Sequence, residues 1–472
     1  MAKVKSKYVC QSCGYETAGY LGKCPECGSW GTFVEETDIP VIKDVQIPDN
    51  CPPMKLNEIE MNSEIRMSTN ISEFDRVLGG GKCIGSAGDS TDKACQGIVQ
   101  GSLVLIAGDP GIGKSTILLQ TSGELCKNNK KVLYVSAEES AGQIKLRAER
   151  LGVKSDNLYI YPQTNLELIK KHIEEMKPDL VIVDSIQAVY TSAIQSSAGS
   201  VSQIRECCNT LMHIAKTQNI SIIVIGHVTK EGNIAGPKVL EHMVDTVIQF
   251  EGDKYKSYRI LRSIKNRFGN TSEVGIFEMG SKGLTEVINP SELFLKEYNQ
   301  TQTPGSTIIV TSEGTRPLLV EIQALVGTTP YPAPRRVANG VDTGRVLQIL
   351  AVLEKRIGLN LSKQDVYVNV IGGIDVNEPA ADLGIALAIV TCVRDVVFDS
   401  HTAIVGEIGL SGEIRAVNHI ERRITEAQKL GFKRIIIPAA NEIQENIEGI
   451  EVIKVKKILE AITRGVKGNY DN

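Results

Sequence analysis

The segment "GDPGIGKST", residues 108–116, decides the fold because it matches G-x-x-x-x-G-K-[ST] and directly follows the apolar run "SLVLIAG". In a strand, glycine-rich loop and helix arrangement, backbone N–H groups of residues 109–115 can cradle a phosphate at the helix N-terminus. Lys114 is then expected to reach the β- and γ-phosphates of ATP, and Ser115 to bind Mg²⁺. The predicted nucleotide-binding residues are Gly108, Asp109, Pro110, Gly111, Ile112, Gly113, Lys114, Ser115 and Thr116.

The chain after residue 101 alternates between strand-like and helical segments. The strand-like runs are "SLVLIAG", "KVLYVS", "LYIY", "DLVIVDS" and "SIIVIGHV". The helical stretches between them are "STILLQTSGELCKNN", "SAGQIKLRAERLG", "NLELIKKHIEEM" and "VSQIRECCNTLMHIAKTQ". Short apolar strands separated by helices predict an α/β domain with a central, mostly parallel sheet covered on both faces.

Carboxylates follow two of these strands, where a hydrolytic site needs them. Asp184 ends "LVIVD" and is predicted to hold Mg²⁺ through water. Glu138 and Glu139 follow the strand in "VSAEES", and either could orient the attacking water. The alternative is that at least one only stabilises the N-terminus of the next helix. His227, in "IGHVTKEG", is either a sensor of the γ-phosphate or an ordinary histidine at a strand end.

The N-terminal segment carries two C-x-x-C pairs, "CQSCG" and "CPECG", each with a glycine where the chain must turn tightly. Four thiolates suit a closed tetrahedral Zn²⁺ site, which stabilises a segment too short to build its own core. A redox motif or disulfides are the alternative. The predicted zinc ligands are Cys10, Cys13, Cys24 and Cys27.

Bulk composition limits the partners. The 472 residues suggest about three domains. The 52 Lys and Arg residues against 56 Asp and Glu residues give a net charge of −4, so any anionic partner must meet a local basic patch. Apolar runs are far shorter than the roughly 20 residues that cross a bilayer, and the N-terminus lacks a signal-peptide core. We therefore expect a cytoplasmic protein without a membrane partner.

Two irregular segments precede the nucleotide loop. Residues 36–66 are rich in proline without sustained periodicity and predict a linker. Ser72 is predicted to be the N-cap of a short helix, with Asp75 three residues on, and "LGGG" ends this helix. The polar stretch "KCIGSAGDSTDKACQ", residues 82–96, predicts a surface loop.

A basic stretch, "DKYKSYRILRSIKNRFG", follows the predicted parallel strands and interleaves cations with aromatic residues. This pattern suits single-stranded nucleic acid, but it also occurs on solvated sheet edges. Its cations are Lys254, Lys256, Arg259, Arg262, Lys265 and Arg267.

The motifs "GDPGIGKST", "VSAEES", "VIVDSIQ" and "KNRFG" together resemble the bacterial RadA family, also called Sms, and the resemblance covers nearly the whole chain. It implies a RecA-like ATPase that forms a hexameric ring similar to the DnaB helicase. Such a ring threads single-stranded DNA and extends branched recombination intermediates alongside the RecA recombinase. By the same analogy Glu138 is the catalytic carboxylate, and Lys265 and Arg267 reach the neighbouring subunit's ATP. The insertion at residues 82–96 departs from the family.

The last part of the chain reads as α+β and resembles the proteolytic domain of Lon in "AIVGEIGLSGEIRAVNHIERRITEAQKLGFKRIIIP". Lon-like proteases need a serine nucleophile and a lysine base. Ala380 and Glu421 stand at those two positions, so acyl transfer is not expected. Ser362 and Lys363 form a much weaker candidate dyad. This domain is predicted to be a ring-forming scaffold, with a DNA-facing basic surface as a second role.

The sequence thus predicts a zinc-binding domain at 1–35, a linker at 36–66, a RecA-like ATPase domain at 67–298 and a Lon-protease-like domain at 299–472. The predicted function is an ATP-dependent DNA-translocating motor, a branch-migration helicase in homologous recombination and DNA repair with RecA. The alternatives are a RecA-type strand-exchange filament, an ATP-dependent protease and a KaiC-like autokinase.

Overall fold

A computed structural model describes nine stretches of the chain. They are residues 5–10, 14–38, 65–81, 95–227, 239–252, 258–295, 303–372, 375–443 and 447–465. The chain divides into two compact units, Met1–Val287 and Ile288–Asn472, whereas the sequence placed this boundary at 298/299. None of the helices in the described stretches is both long and apolar enough to cross a bilayer.

The N-terminal segment forms a small antiparallel sheet of β1 (Lys5–Cys10), β2 (Glu16–Thr17) and β3 (Phe33–Asp38), in the order β2-β1-β3. Strand β3 pairs with β1 along its whole length and so continues past residue 35, where the zinc-binding domain was expected to end. Of the predicted linker, residues 39–64 lie outside the described stretches.

Trp30 is the single tryptophan of the chain and lies on this small domain. Its side chain is 74% exposed. The Lys23 ammonium lies 5.6 Å from the centre of the indole ring, a cation–π contact that fixes one face of the ring.

Five short elements, four strands and one helix, lead into the nucleotide-binding unit. The strands form two small antiparallel pairs, β4 with β7 and β5 with β6. They are β4 (Arg66–Met67), α1 (Ser72–Leu78), β5 (Gly80–Gly81), β6 (Cys95–Gln96) and β7 (Ile98–Val99). Most of the predicted 82–96 loop, residues 82–94, lies outside the described stretches.

The prediction that Ser72 caps α1 is wrong, because the N-cap residue is Ile71. The Ser72 hydroxyl instead donates to Glu286 Oε1 at 2.8 Å. Asp75 accepts a 2.9 Å hydrogen bond from the Thr69 backbone N–H and so braces the chain that enters the helix. Both side chains thus serve contacts that local helix-capping rules do not describe.

A nine-stranded sheet with helices between its strands forms the nucleotide-binding unit, in the order β10-β9-β11-β12-β8-β13-β14-β15-β16. Strands β8 to β13 pair in parallel, and β14 to β16 extend the sheet antiparallel. The elements are β8 (Leu103–Gly108), α2 (Lys114–Lys127), β9 (Val132–Ser136), α3 (Ala141–Arg150), β10 (Leu158–Pro162), α4 (Leu166–Met176), β11 (Leu180–Asp184), α5 (Val201–Gln218), β12 (Ser221–His227), α6 (Val239–Met243), β13 (Thr246–Glu251), β14 (Tyr258–Asn266), β15 (Val274–Gly280) and β16 (Gly283–Glu286).

Alternation along β8 shows why both faces of the sheet are covered. Val104 and Ile106 join one apolar cluster, which includes residues of α2. Leu103 and Leu105 join a second cluster on the other face, which includes residues of α5. Because every side chain of β8 is buried, the strand must be apolar without interruption, and each large side chain contributes about 1.5–3 kcal/mol. The predicted α/β fold is confirmed.

The C-terminal unit is α+β, as predicted, with a seven-stranded mixed sheet in the order β19-β20-β18-β17-β21-β24-β25. Its elements are α7 (Pro290–Phe294), β17 (Ser306–Glu313), β18 (Arg316–Thr328), β19 (Arg336–Asn339), α8 (Thr343–Val352), β20 (Gln364–Val370), α9 (Asp382–Arg394), β21 (Thr402–Ile404), β22 (Glu407–Ile408), β23 (Ile414–Arg415), α10 (Ile420–Lys429), β24 (Arg434–Pro438), β25 (Glu451–Val455) and α11 (Ile458–Gly465). Helix α9 is buried along its first ten residues and packs beside β17 and β18.

Candidate functional site

The carboxyl ends of the parallel strands bring the predicted nucleotide residues to one edge of the sheet. Asp184, the last residue of β11, pairs with Ser136 of β9. His227, the last residue of β12, pairs with Gly108 at the end of β8. Ligands of open α/β sheets bind outside this edge. The strand ends that carry the motifs therefore converge on one edge of the sheet.

The loop between β8 and α2 requires glycine at two positions. Gly113, the N-cap of α2, has φ of 121°, and a Cβ there would lie 2.8 Å from the Met279 side chain. A Cβ on Gly108 would lie 2.6 Å from the Phe250 carbonyl oxygen. Both positions let the backbone pass closer than a side chain would permit. The loop thus has the tight form that a phosphate cradle needs.

Lys114 is buried at the start of α2. Its ammonium donates to the carbonyl oxygens of Gly108 at 2.7 Å and Asp109 at 2.9 Å. Burial lowers the pKa of Lys114, whereas the nearby carboxylates of Asp184, Asp109 and Glu138 act to raise it. The cation is therefore held inside the loop and faces the acidic residues of the site.

Asp184 and Ser115 supply the oxygen atoms predicted to hold Mg²⁺. The Tyr134 phenol donates to Asp184 Oδ2 at 2.6 Å, and the Ser115 hydroxyl belongs to the same hydrogen-bond network. Burial raises the pKa of Asp184, while the hydrogen bonds from Tyr134 and Ser115 act to lower it. A carboxylate and a hydroxyl brought together fit a hard cation such as Mg²⁺. Sequence reasoning missed Tyr134, whose only signal is a polar atom within an apolar strand.

The two adjacent glutamates have different partners. Glu138 accepts a short hydrogen bond from the hydroxyl of Ser185, the residue after Asp184. Glu139 Oε1 forms an ion pair with Arg147 of α3 at 2.5 Å. Helix α3 is capped by Ser140, so neither glutamate side chain is its N-cap. Glu138 is thus tied to the Asp184 strand end, and Glu139 is tied to the neighbouring helix.

The two cations of "KNRFG" contact their own chain. The Lys265 ammonium donates to the carbonyl oxygens of Glu241 at 2.7 Å and Val244 at 2.9 Å, near the C-terminal end of α6. Burial is the main cause of a lowered pKa for Lys265, and the nearby Arg267 adds to it. Arg267 lies just beyond β14, is 54% exposed and pairs with the buried Asp245 at 3.2 Å. Lys265 is therefore more enclosed than Arg267.

The other residues of the motif join the end of β14 to α1. Asn266 Nδ2 donates to the Leu78 carbonyl at 2.9 Å, and the Phe268 carbonyl accepts from Arg66 at 2.5 Å. A Cβ on Gly269 would lie 3.1 Å from Gly79 Cα. The motif is thus also a packing element, which explains why a motif with two cations needs an asparagine and a glycine.

The basic stretch before this motif is only partly open. Lys254 and Lys256 lie outside the described stretches. Arg259 is buried and donates to the Ile112 carbonyl at 3.3 Å, and Arg262 lies 3.4 Å from Glu251. Within residues 258–267, the aromatic-and-cation pattern therefore does not form one continuous exposed surface.

Three predicted zinc ligands come together in the N-terminal domain. The Sγ atoms of Cys10, Cys24 and Cys27 all lie within 4.8 Å of one another, and those of Cys10 and Cys27 are 3.7 Å apart. A tetrahedral Zn²⁺ with Zn–S bonds of about 2.3 Å separates its sulfurs by about 3.8 Å. Cys13 lies outside the described stretches. The geometry fits a zinc ion.

Two matching turns present these thiolates. The Cys10 carbonyl accepts from the Gly14 N–H at 2.8 Å, and the Cys24 carbonyl accepts from the Gly28 N–H at 2.9 Å. Gly14 and Gly28 have φ of 78° and 73°. The glycine that follows each C-x-x-C pair therefore supplies the left-handed backbone of the turn, as the sequence indicated.

The positions aligned with the Lon dyad hold no nucleophile. Ala380 is 4% exposed and packs in the apolar cluster of the C-terminal unit. Two residues before it, Glu378 accepts two hydrogen bonds from the Arg423 guanidinium of α10, at 2.8 and 2.7 Å. The Ser362 hydroxyl donates to Asn360 at 3.1 Å.

Sequence profiles of three protein families match separate parts of the chain. The rubredoxin metal binding domain matches residues 8–35, and the AAA domain matches residues 83–233. Subunit ChlI of Mg-chelatase matches residues 343–441. These matches agree with the predicted zinc ribbon, ATPase domain and separate C-terminal domain.

Curated relatives extend the similarity over the full length. The chain is 51% identical over 475 residues to the DNA repair protein RadA of Bacillus subtilis (strain 168), covering 99% of this chain and 100% of the relative. The protein of the same name from Listeria monocytogenes serovar 1/2a is 51% identical, with 99% and 100% covered. That of Streptococcus pyogenes serotype M6 is 48% identical, with 98% and 100% covered.

Proposed function

Because this chain belongs to the RadA family of DNA repair proteins, we propose that its ATPase domain drives translocation along DNA and branch migration of recombination intermediates. The observation that supports this most is the convergence of Lys114, Asp184 and Glu138 at one sheet edge. "KNRFG" lies at the opposite edge of the same sheet, at the end of β14, where Asn266 pairs with the first residue of β13. This arrangement suits a hydrolytic site together with a separate cation that reports hydrolysis to another subunit.

Each residue has a separate role in the proposed hydrolysis. The loop of residues 108–116 holds the phosphates, and Lys114 neutralises their charge. Ser115 and Asp184 hold Mg²⁺, which when bound neutralises charge on the phosphate oxygens. Glu138 orients and polarises the attacking water. We assign it this role because its hydrogen bond from Ser185 holds it near Asp184, at the end of β11. Glu139 is committed to Arg147 instead.

Coupling between subunits is the role proposed for the cations of "KNRFG". In a hexameric ring, Arg267 stabilises charge that develops on the neighbour's ATP. To reach that ATP, the exposed Arg267 side chain has to give up its ion pair with Asp245. Lys265 shares this role by family analogy, but it must first leave the carbonyls beside α6. Arg267 is therefore the principal candidate.

The remaining parts of the chain support the motor. We assign Zn²⁺ to Cys10, Cys13, Cys24 and Cys27, and a non-proteolytic scaffold role in ring formation to the C-terminal Lon-protease-like domain. Single-stranded and branched DNA are the proposed substrates, and RecA is the proposed protein partner. We expect the protein to act in the cytoplasm.

Strand displacement on forked and displacement-loop DNA, with and without RecA, tests this proposal. We expect ATP-dependent displacement by the wild-type protein and none by Lys114→Ala, since the variant lacks compensation of phosphate charge. Negative-stain images with single-stranded DNA should show closed rings. Continuous filaments would favour a strand-exchange protein instead, and ATP-stimulated cleavage of an unfolded protein would favour a protease.

A further inference from the structure

Tyr134 is a buried phenol inside the parallel sheet that belongs to none of the sequence motifs. It lies in the middle of β9 with 1% of its surface exposed, and it pairs with Ile182 on the neighbouring strand β11. It belongs to the same apolar cluster as Ile182 and Val104. Phenylalanine would fill this apolar space equally well, so the hydroxyl needs a separate explanation, because a buried hydroxyl is costly without a hydrogen bond.

The phenol hydroxyl reaches the two residues that would hold the cation. It donates to Asp184 Oδ2 at 2.6 Å, and Ser115 takes part in the same network. Asp184 comes from the end of β11 and Ser115 from the first turn of α2. One side chain from a third element thus links both oxygen donors.

We propose that Tyr134 is a positioning residue for the divalent cation of the nucleotide site, holding the Asp184 carboxylate and the Ser115 hydroxyl in a fixed arrangement. The inference rests on the proposed ATPase function. A carboxylate rotates freely about its Cβ–Cγ bond unless a partner holds one oxygen. The phenol occupies one lone pair of Oδ2 and leaves the other lone pairs of the carboxylate for the cation or its water. Loss of such an outer partner typically weakens metal affinity by about 10–100-fold.

Binding of a fluorescent ADP analogue to the full-length chain, titrated with Mg²⁺ and repeated in EDTA, tests this role. Tyr134→Phe retains the ring and removes only the hydroxyl. We expect its nucleotide affinity in EDTA to equal that of the wild type, and the Mg²⁺ concentration for half-maximal enhancement to rise by about 10-fold. Direct counting of bound Mn²⁺ by electron paramagnetic resonance gives a second readout that does not depend on turnover.

A matched control and a double variant sharpen the test. Tyr161→Phe removes a hydroxyl from the adjacent strand β10, where the ring packs on His172 with 4.8 Å between centroids, and should titrate like the wild type. Asp184→Asn should itself weaken the response to Mg²⁺. Adding Tyr134→Phe to it should cause a much smaller further loss than in the wild type, because the phenol acts mainly through that carboxylate.

Several results would overturn the inference. One is an unchanged Mg²⁺ requirement in Tyr134→Phe. Another is a loss of nucleotide affinity in EDTA as large as the loss with Mg²⁺. A third is a circular dichroism spectrum showing that Tyr134→Phe does not fold. Either would mean that the hydroxyl serves packing. A full additional loss in the Asp184→Asn background would also contradict it. Failure of the proposed ATPase site is distinguishable, because the wild-type protein itself would then show no Mg²⁺-dependent nucleotide binding.

Discussion

Glu138 and Glu139 are chemically identical neighbours that make different contacts. Glu139 pairs with Arg147 at 2.5 Å, and neither side chain is more than partly exposed. Glu138 bonds to Ser185, beside the proposed Mg²⁺ ligand Asp184. The family analogy also favours Glu138. The motif "VSAEES" leaves open which glutamate orients the attacking water. The answer depends on which of the two carboxylates faces the phosphate.

We predict that Glu138→Gln binds ATP normally and lowers its turnover by about 100-fold or more, because the amide cannot polarise water. Glu139→Gln should keep most of its turnover and lose some thermal stability, since it weakens the contact with α3. Phosphate release and nucleotide binding, measured on both variants, check this. The opposite pattern, with turnover lost only in Glu139→Gln, would show that the assignment is reversed.

The zinc ribbon is the element whose stability depends most on a ligand. Among its described side chains, the apolar cluster consists of Cys10, Cys24 and Phe33, with Tyr8 packed against it, which is too little for independent folding. The paired turns already bring three sulfurs to a separation suited to Zn²⁺. We therefore expect metal binding to supply most of the folding free energy of this element.

We predict about one Zn²⁺ per chain, because four thiolates complete one tetrahedral shell. Metal analysis of protein purified under reducing conditions without chelator measures this directly. Cys24→Ser should lose the metal but keep Mg²⁺-dependent nucleotide binding, since the apolar clusters of the nucleotide unit contain no residue of the ribbon. A stoichiometry near zero in the wild-type protein would rule out the zinc site.

A buried arginine, Arg423, links helix α10 to Glu378 by an ion pair and to strand β17 by a hydrogen bond. Arg423 is 2% exposed, meets both oxygens of Glu378 and also donates to the Val310 carbonyl at 2.6 Å. Removing the guanidinium would leave a partly buried carboxylate and a buried carbonyl without this donor. Such a loss is far more costly than the net value of an intact ion pair.

We predict that Arg423→Ala destabilises the C-terminal unit by about 3–5 kcal/mol. Urea unfolding followed by circular dichroism measures the change. Arg415→Ala is the matched control, because its pair with Glu413 is exposed and its removal should cause no measurable shift. Equal midpoints for the two variants would mean that Arg423 contributes little to the packing of α10.

Regular elements could be predicted from the sequence, whereas contacts between distant elements could not. Helix α5 occupies the whole of the predicted stretch, because its apolar spacing and its cap, Ser200, are local signals. The role of Ser72 depends on Glu286, and that of Tyr134 depends on Asp184, so no local pattern records either. The phosphate loop was predictable for the same reason as α5, since its residues are contiguous.

At the scale of the proposed assembly, Arg267 is the side chain that we propose to couple neighbouring active sites. Its partner Asp245 is 2% exposed and also binds Lys216 at 2.7 Å. If Arg267 leaves to contact a neighbouring subunit, Lys216 remains as a counter-ion for the buried carboxylate. The exchange therefore does not leave an unpaired buried charge, which would be costly.

We predict that Arg267→Ala binds ATP and single-stranded DNA but loses DNA-stimulated hydrolysis and branch migration. Mixing it with Glu138→Gln protein should restore part of the hydrolysis, because some subunit boundaries then carry both an intact glutamate and an intact arginine. Phosphate release as a function of mixing ratio measures this. Full DNA-stimulated turnover by Arg267→Ala alone would show that the arginine has no role across the boundary.

The position of Trp30 gives the chain a built-in optical reporter. As the single tryptophan, exposed and beside Lys23 on the zinc ribbon, it is the sole source of indole emission. Emission excited selectively through indole therefore follows the ribbon, while circular dichroism follows the two large sheets. A difference between the two denaturation midpoints would measure directly whether the ribbon melts separately from the nucleotide-binding and C-terminal units.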